Sequence, residues 1–359
     1  MKLGILTYHR SHNYGALLQA YSLKKFLIKQ GYSDVEFVDY FPDYHREMYE
    51  NIKKKKFKNL GKRGKLKYPI YLINEYFPLY RLKKRRRRSF IEFIEKYLIA
   101  NEVGLKDTIY DVVIYGSDQI WRKQKKKTCP GFNEIYFGSN KVKAQKRIAY
   151  SASMGDIHLN PNDKYFLSKA FNNFAAISVR ERDLYNVIKS FTDYPIMHTL
   201  DPVFLLDRGE WEYLIPNRIV KKKYILFYNL HDNIEAKEIA KFLSFELGYS
   251  VIELIGDIKN KNIFPNIRPF DGPEKFLSLI KYAQFVVTSS FHGVALSIIF
   301  EKEFYACVPL KKERVASLLM LLGIEDKLVS STEEIDLSKT IDYSLVNSAL
   351  KNERQKSME

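Results

Sequence analysis

The stretch Phe285-Val-Val-Thr-Ser-Ser-Phe-His-Gly-Val-Ala-Leu-Ser-Ile-Ile-Phe300 decides the fold of this chain. Residues 285–288 are apolar and mostly β-branched, which is typical of a buried parallel strand. The hydroxyl residues at 288–290 can cap a helix, and residues 294–300 are apolar enough to form that helix. The sequence therefore predicts a strand, a turn at His292-Gly293 and a buried helix.

A turn at the carboxyl end of a parallel strand is where open α/β sheets bind their ligands. The free amides at the start of the following helix favour an anion. Ser290 adds a hydroxyl group, and Gly293 would let a ligand approach the backbone. We therefore treat His292, Ser290 and Gly293 as candidate site residues. The alternative for a single histidine is a purely structural role.

Length and composition indicate two domains. The chain has 359 residues, of which 46% are hydrophobic and 14% aromatic, enough to build two cores. Its two cysteines, Cys129 and Cys307, lack the spacing of a metal site, so we expect a reducing compartment and no bound metal. The N-terminal apolar run is too short for a signal peptide, and no apolar run reaches the roughly 18 residues of a membrane span. The sequence therefore predicts a cytoplasmic protein.

Most of the net charge of +17 lies in one segment. Residues 53–88 contain sixteen lysines and arginines against one acid, Glu75, and interleave them with tyrosine and phenylalanine. The segment interrupts the α/β pattern as an insertion over about residues 41–100. Its composition suits an anionic membrane surface, and it would also suit nucleic acid. A solvated insertion without a partner is the third interpretation.

Polar residues follow three strands that the sequence predicts in the N-terminal half. Asn13 and Gly15 come after the first strand, at the start of a helix, where they would bind a ligand or only cap the helix. Asp118 follows a strand at 110–115 and could orient or deprotonate a hydroxyl group of a ligand, or cap the next helix. Arg180 ends another strand, where its guanidinium could hold phosphate or carboxylate bidentately or pair with a neighbouring acid.

A second series of strands and helices begins after Asp201-Pro202. We therefore predict the α/β class, with two doubly wound Rossmann-like domains facing a cleft. The N-terminal domain would span 1–205, the C-terminal domain 206–330, and a polar tail 331–359. Three basic residues lie just beyond a strand of the second domain, on the predicted edge of the His292 turn, and are candidate anion ligands: Lys311, Lys312 and Arg314.

Five blocks of this sequence resemble the signature blocks of the polysaccharide pyruvyl transferase family, and they occur in the family's order. They are Asn13-Tyr14-Gly15, Tyr115-Gly-Ser-Asp-Gln-Ile-Trp121, Ser178-Val-Arg-Glu181, Leu200-Asp-Pro-Val203 and Thr288-Ser-Ser-Phe-His-Gly293. The resemblance implies a GT-B-like fold. It also implies transfer of a pyruvyl group from phosphoenolpyruvate to a sugar of a polysaccharide or lipid-linked oligosaccharide as a ketal, with no cofactor.

That chemistry has recognisable requirements. The donor carries a phosphate and a carboxylate, which call for cations and amides, and its C3 methylene must be protonated, which suits histidine. By resemblance, His292 is the general acid and Arg180 binds the donor anion, while Asn13 and Asp118 match blocks on the sugar side. A further basic residue of the family matches one of three neighbours that the sequence does not separate: Lys311, Lys312 or Arg314.

Two other functions remain open at this stage. A GT-B glycosyltransferase that uses a nucleotide sugar would share the fold, but it would need an acidic or aromatic residue that grips the nucleotide in the C-terminal domain, and none is recognisable. A non-enzymatic nucleic-acid-binding protein would explain residues 53–88 but would leave His292 and the strand-end residues unexplained.

Overall fold

The structure, a computed structural model, describes residues 1–50, 61–98, 108–124, 130–155, 157–230, 233–256, 271–308 and 312–358. The sequence predictions that involve residues 53–58, Cys129 and Lys311 fall outside this range. Within it, no helix has the length and apolar character needed to cross a membrane.

The described residues form ten strands and thirteen α-helices. The strands are β1 Lys2–Leu6, β2 Asp34–Phe37, β3 Tyr110–Tyr115, β4 Ala144–Ala152, β5 Ala176–Val179, β6 Ile196–His198, β7 Tyr224–Asn229, β8 Ser250–Ile255, β9 Phe285–Thr288 and β10 Glu303–Ala306. The helices are α1 Tyr14–Lys29, α2 Asp43–Glu50, α3 Lys62–Leu66, α4 Tyr68–Tyr71, α5 Phe77–Phe93, α6 Pro161–Ala170, α7 Arg182–Lys189, α8 Arg208–Glu212, α9 Ile234–Leu247, α10 Pro273–Lys281, α11 Phe291–Ile299, α12 Lys312–Leu322 and α13 Tyr343–Met358.

The strands form two parallel sheets. The first has the order β2-β1-β3-β4-β5-β6 and the second the order β10-β9-β7-β8. Every strand pair is parallel, which requires crossover connections and places the carboxyl ends of all strands of a sheet at one edge. The predicted α/β class with two doubly wound, Rossmann-like units facing a cleft is therefore confirmed.

The anchor stretch folds close to the prediction, with one difference at the turn. Strand β9 covers residues 285–288 as expected, and all four of its residues are buried. Helix α11 begins at Phe291 rather than at Val294, and Ser290 is its N-cap residue. His292 and Gly293 therefore lie in the first helical turn instead of preceding it, because the extended Ser290 already ends the loop.

Helix α1 packs between the two sheets and joins their cores. Eleven of its sixteen residues are buried. The hydroxyl group of Tyr14 donates a hydrogen bond of 2.6 Å to the carbonyl oxygen of Asp271, which begins the described part of the chain before α10. One apolar cluster contains residues of both sheets, among them Ile5 of β1 and Val286 of β9. The two units therefore share a continuous core beside the cleft.

The predicted insertion at residues 41–100 is mostly helical where it is described. Helices α2 to α5 lie there, and π-helical turns at Leu72–Tyr76 and Ile94–Leu98 precede and follow α5. Helices α3 and α4 bury no residue, whereas Phe90 and Phe93 of α5 are buried. Tyr44 and His45 of α2 are buried as well. The two ends of the segment therefore pack on the body of the protein, and α3 and α4 lie exposed between them.

The segment 331–359, expected to be a polar tail, contains helix α13, which packs back on the body of the protein. Val346 and Leu350 of this helix are buried. The hydroxyl group of Ser357 accepts a hydrogen bond of 2.9 Å from the backbone amide of Leu200, in the segment that follows β6. The final helix therefore links the second sheet to the first.

We predict that Leu350→Ala lowers the free energy of unfolding by about 2–4 kcal/mol, because it leaves a cavity where α13 packs. The matched control is Leu345→Ala on the same helix. The Leu345 side chain is 68% exposed, so its loss should change stability by no more than about 0.5 kcal/mol. Denaturant unfolding followed by far-UV circular dichroism measures both. Equal stability of the two variants would contradict the packing of α13.

Candidate active site

A cavity of about 330 Å³ lies where the carboxyl edges of the two sheets face each other. Loops that follow β1, β3, β7 and β9 line it. These pairs of strands flank the points at which the order of each sheet reverses, and open α/β sheets bind ligands at such points. The residues that line it include Asn13, Asp118, Tyr49, Ser290, His292 and Arg314. The volume falls in the range of small-molecule sites.

His292 enters this cavity from the first turn of α11. Its side chain is 11% exposed, so the imidazole is largely shielded from water. The ring packs directly against Gly15 of α1, because a Cβ atom at Gly15 would lie 2.0 Å from the Nδ1 atom of His292. Gly15 is therefore small because it must accommodate the histidine, and the two sheet units meet at this contact.

The Nε2 atom of His292 faces a buried carboxylate. It lies 3.4 Å from the Oδ2 atom of Asp201, whose side chain is fully buried, and it makes no hydrogen bond of good geometry. Burial alone would raise the pKa of Asp201, but the charges of His292 and Arg180 outweigh burial and hold that pKa well below its ordinary value. Asp201 therefore stays ionised as a counter-ion beside the imidazole.

Arg180 supplies the other side of this carboxylate. Its Nη1 atom donates a hydrogen bond of 2.5 Å to Asp201 Oδ2, and its Nη2 atom donates to Ser153 Oγ at 3.0 Å. Burial would lower the pKa of Arg180, but the carboxylates of Glu181 and Asp201 raise it. The guanidinium also lies over the ring of Phe291, 5.2 Å from its centroid.

The sequence predicted that Arg180 grips the donor anion. In the structure its side chain is only 2% exposed and does not line the cavity, since its donors are directed at Asp201, Ser153 and Glu181. The alternative stated for this residue, a salt bridge to neighbouring acids, describes the observed geometry. A direct contact with the donor stays a prediction, and the observed contact is with the carboxylate that faces His292.

Arg314 is the candidate cation that the structure places in the cavity wall. It lies in the first turn of α12, with its Nη1 atom 3.7 Å from Glu181 Oε1. Burial lowers its pKa, and the nearby charge of Arg180 lowers it further. Of the other two candidates, Lys311 lies outside the described residues and Lys312 is described only as the first residue of α12.

Three buried polar atoms around this cavity have no hydrogen-bond partner within the described part of the chain: Nε2 of His292, Nε of Arg314 and Oε2 of Glu181. A buried polar atom without a partner is costly, so such atoms call for a bound group or water. Two of the three belong to residues that line the cavity. The two lining nitrogen atoms, Nε2 of His292 and Nε of Arg314, can donate hydrogen bonds and so make the cavity suited to an oxygen-rich anion.

The remaining predicted residues surround this centre. Asn13 caps α1, with its side-chain oxygen accepting from the amide of Ala16 at 3.2 Å, and it also lines the cavity. Ser290 lines the cavity as the N-cap residue of α11. A Cβ atom at Gly293 would lie 2.2 Å from Thr288 Oγ1, so close packing against β9 already explains this glycine.

Asp118 lies at the opposite wall of the cavity, in an unusual backbone conformation. Its φ angle of 63° is uncommon for a residue other than glycine. One carboxylate oxygen accepts from the amide of Gln119 at 2.8 Å. Trp121, three residues on, is fully buried against Phe137 and donates to the carbonyl oxygen of Tyr136, so it serves the core.

Sequence reasoning missed a cluster of aromatic side chains that line the same cavity. Tyr8, Tyr44, His45 and Tyr49 come from the end of β1 and from α2. Burial raises the pKa of Tyr49, and the Asp118 carboxylate raises it further, so its hydroxyl stays protonated. The alternation of aromatic and polar residues over 40–49 could have indicated this aromatic wall of the cavity. The basic residues that follow it instead led to the interpretation of the whole segment as an insertion.

Among the described residues, no group of three or more histidine, cysteine, aspartate or glutamate side chains is placed to hold a metal ion.

Solved structures with a similar chain course include two epimerases of UDP-N-acetylglucosamine and a glycosyltransferase. The UDP-N-acetylglucosamine 2-epimerase of Rickettsia bellii is 13% identical over 99% of this chain and 95% of its own, with a TM-score of 0.46. The UDP-GlcNAc 2-epimerase of Methanocaldococcus jannaschii is 15% identical over 99% and 94%, with a TM-score of 0.42. The glycosyltransferase SnogD of Streptomyces nogalater is 9% identical over 100% and 95%, with a TM-score of 0.40. At these values the likeness carries no functional argument.

No curated protein sequence is similar enough to count as a match. The model of the polysaccharide pyruvyl transferase family matches residues 13–309, a range that includes Asn13, Asp118, Arg180, Asp201 and His292. This match covers most of the chain and both sheets. The chain belongs to the polysaccharide pyruvyl transferase family.

Proposed function

We propose that the protein transfers a pyruvyl group from phosphoenolpyruvate to two hydroxyl groups of a sugar as a ketal. The observation that carries the proposal is the meeting of His292 and Arg314 in one cavity, each in the first turn of a helix, in a chain of this family. Two helix N-termini and a guanidinium favour a ligand with both phosphate and carboxylate.

The reaction balances without a further reactant. His292 gives a proton to C3 of phosphoenolpyruvate, which turns C2 into an electrophile. One sugar hydroxyl then forms a C–O bond to C2 and loses its proton. The second hydroxyl forms another C–O bond to C2 as the bond between C2 and the phosphate oxygen breaks. Inorganic phosphate leaves with one hydroxyl proton, and the other proton recharges the histidine.

Each group of the site has a task in this scheme. Asp201 lies 3.4 Å from Nε2 and is the counter-ion of the protonated imidazole, and Arg180 fixes Asp201 in place. Arg314 binds the anionic donor. Asp118, on the other wall, accepts the proton of an attacking hydroxyl or orients it. The phenol groups of the aromatic wall are suited to hydrogen bonds with a sugar.

The acceptor in this proposal is a sugar of a polysaccharide or of a lipid-linked oligosaccharide, as in the synthesis of exopolysaccharide or capsule in the cell envelope. The protein would act in the cytoplasm, and it would meet a lipid-linked acceptor at the inner face of the plasma membrane. Incubation of the purified protein with phosphoenolpyruvate and a panel of acceptors, with phosphate release as the readout, tests the reaction. Transfer from a nucleotide sugar instead of phosphoenolpyruvate would establish the glycosyltransferase alternative.

We predict that His292→Ala remains folded and loses about 10²- to 10⁴-fold in turnover, the range for removal of a general acid. Asp201 keeps its ion pair with Arg180 when the imidazole is removed, so the buried carboxylate still has a counter-ion and the protein should fold. His158→Ala is the control, because His158 is exposed and outside this cavity. A folded His292→Ala enzyme with normal turnover would show that the histidine is structural.

We predict that Arg314→Ala raises KM for phosphoenolpyruvate about 10- to 100-fold, since a charge-assisted hydrogen bond contributes about 1.5–3 kcal/mol. Arg314→Lys should recover only part of this loss, because the planar fork is gone. The control is Arg218→Ala. Arg218 is an exposed arginine of the same domain that does not line the cavity, and it donates to the carbonyl oxygens of Val220 and Lys222 and lies over the ring of Tyr282. An unchanged KM in Arg314→Ala would exclude this residue as a donor ligand.

For Arg180 we predict a different pattern. Arg180→Ala leaves the Asp201 carboxylate buried with less compensation and should lower stability by about 3–5 kcal/mol. Arg180→Lys should lower kcat more than it raises KM, because lysine cannot hold Asp201 and Ser153 together. Arg208→Ala removes exposed ion pairs and should cost less than about 1 kcal/mol. Thermal unfolding and steady-state kinetics separate these effects. A raised KM with normal stability in the Arg180 variants would instead indicate that Arg180 binds the donor directly.

A further inference from the structure

Exposed apolar residues recur along the helices that lead into α5. Their exposed fractions are 83% for Leu66, 60% for Ile70, 66% for Ile73, 48% for Phe77 and 40% for Tyr80. They follow one another at intervals of three or four residues, the spacing that places side chains along one side of a helix. Five large apolar side chains in sequence along one helical segment form a surface that a soluble protein normally covers.

Positive charge flanks this apolar stripe at both ends. Residues 61–88, which we call the basic arm, contain eleven lysines and arginines and the single acid Glu75. Nine of the basic residues are exposed: Lys62, Arg63, Lys65, Lys67, Arg81, Lys84, Arg85, Arg87 and Arg88. An apolar stripe between strongly cationic ends is the pattern of a helix that lies in the interface of an anionic membrane.

The C-terminal end of the basic arm is fixed to the body of the protein. Arg86 is buried, and its guanidinium donates to the carbonyl oxygens of Ile255 at 3.1 Å and Gly256 at 2.9 Å, just after β8. The guanidinium also lies over the rings of Tyr14 and Phe90, and its Cζ atom is 5.2 Å and 5.0 Å from the two ring centroids. The arm therefore extends from the junction of the two sheet units, next to the start of α1.

We propose that the basic arm attaches the protein to an anionic membrane, with Leu66, Ile70, Ile73 and Phe77 inserted among the lipids. Each basic residue close to such a surface contributes about 1 kcal/mol of attraction. The aliphatic side chains enter the boundary of the acyl chains, and Tyr80 suits the headgroup level. The attachment presents the junction of the two sheets, and with it the catalytic cavity, to acceptors held in the membrane.

The charge of the arm decides against two other occupants. A second copy of the chain would bring two arms, each with ten net positive charges, against each other, which is strongly unfavourable. A duplex nucleic acid would attract the charges, but its phosphate backbone offers nothing apolar to Leu66, Ile70 or Ile73. An anionic lipid surface satisfies the charges and the apolar stripe together.

The test is cosedimentation of the full chain with vesicles of phosphatidylcholine that contain 0% or about 30% phosphatidylglycerol, a typical anionic surface. We expect binding to the anionic vesicles only, weakened as salt rises from about 0.05 M to 0.5 M. Replacement of Leu66, Ile70, Ile73 and Phe77 by serine should lower the partition coefficient at least about tenfold, because it removes the apolar part of the binding. The melting temperature should stay unchanged, since these side chains are exposed in the folded protein.

The control replaces Ile234 and Phe245 of α9 by serine. They are 71% and 85% exposed and lie outside the basic arm. Equal binding by the four-serine variant and the wild type, or an equal loss in the α9 control, would overturn the proposal. Displacement from the vesicles by duplex DNA at equal charge concentration would assign the arm to nucleic acid, and a dimer that only the four-serine variant fails to form would assign it to a second copy. No donor or acceptor is present, so the outcome is independent of the proposed reaction.

Discussion

The buried carboxylate of Asp201 is the interaction on which the site depends. It lies in the segment after β6, and it holds Arg180 from the end of β5 on one side and faces His292 of α11 on the other. A fully buried carboxylate without a cationic partner would be prohibitively costly, so the fold must keep Arg180 beside it, and His292 reaches the same carboxylate from the second sheet unit. The requirement that stabilises the junction therefore also places a counter-ion beside the proposed general acid.

Close packing adds a second constraint at the same place. The absence of a side chain at Gly15 lets α1 approach the ring of His292, and its absence at Gly293 lets α11 approach β9 and Tyr228. The sequence analysis interpreted Gly293 as an opening for a ligand and placed Gly15 at a helix N-terminus that would bind a ligand or only be capped. The geometry shows that neighbouring side chains already occupy the space beside them. Small residues near an active site can therefore serve the ligand indirectly, by fixing the position of a catalytic side chain.

The sequence predicted the elements whose signal is local. Strands β3 and β9 were predicted at their observed bounds, because burial on both faces of a parallel sheet leaves a largely continuous hydrophobic pattern. Strand β6 has only three residues, and α13 is largely polar with just Val346 and Leu350 deeply buried among its apolar residues. The hydrophobic pattern of such elements is too weak to show without the tertiary contacts that they make.

The same distinction applies to the site. Residues at the carboxyl ends of strands converge by a general property of parallel sheets, so His292, Asp118 and Asn13 could be placed near one another from sequence. The sequence could not show which cationic side chain faces the cavity, because that depends on ion pairs between distant segments of the chain. Arg180 pairs with Asp201, which lies 21 residues further along the chain, so its guanidinium is not available to a ligand in the cavity. Arg314 lies at the cavity wall, and its Nε atom has no hydrogen-bond partner among the described residues.

Charge in this protein therefore acts at two separate levels. The cavity balances its own charges, with His292 and Arg314 near Asp201 and Glu181, whereas the basic arm accounts for most of the net charge. Salt at 0.1 M screens exposed charges within about 10 Å, so exposed charges of the arm that lie farther than this from the cavity have little effect on its electrostatic potential. The net charge of the chain is consequently relevant to the surface that the protein binds, and the local geometry around Asp201 is relevant to the reaction. The two features can change independently, because His292 is positioned by its contacts with Gly15 and Asp201, which lie outside the arm.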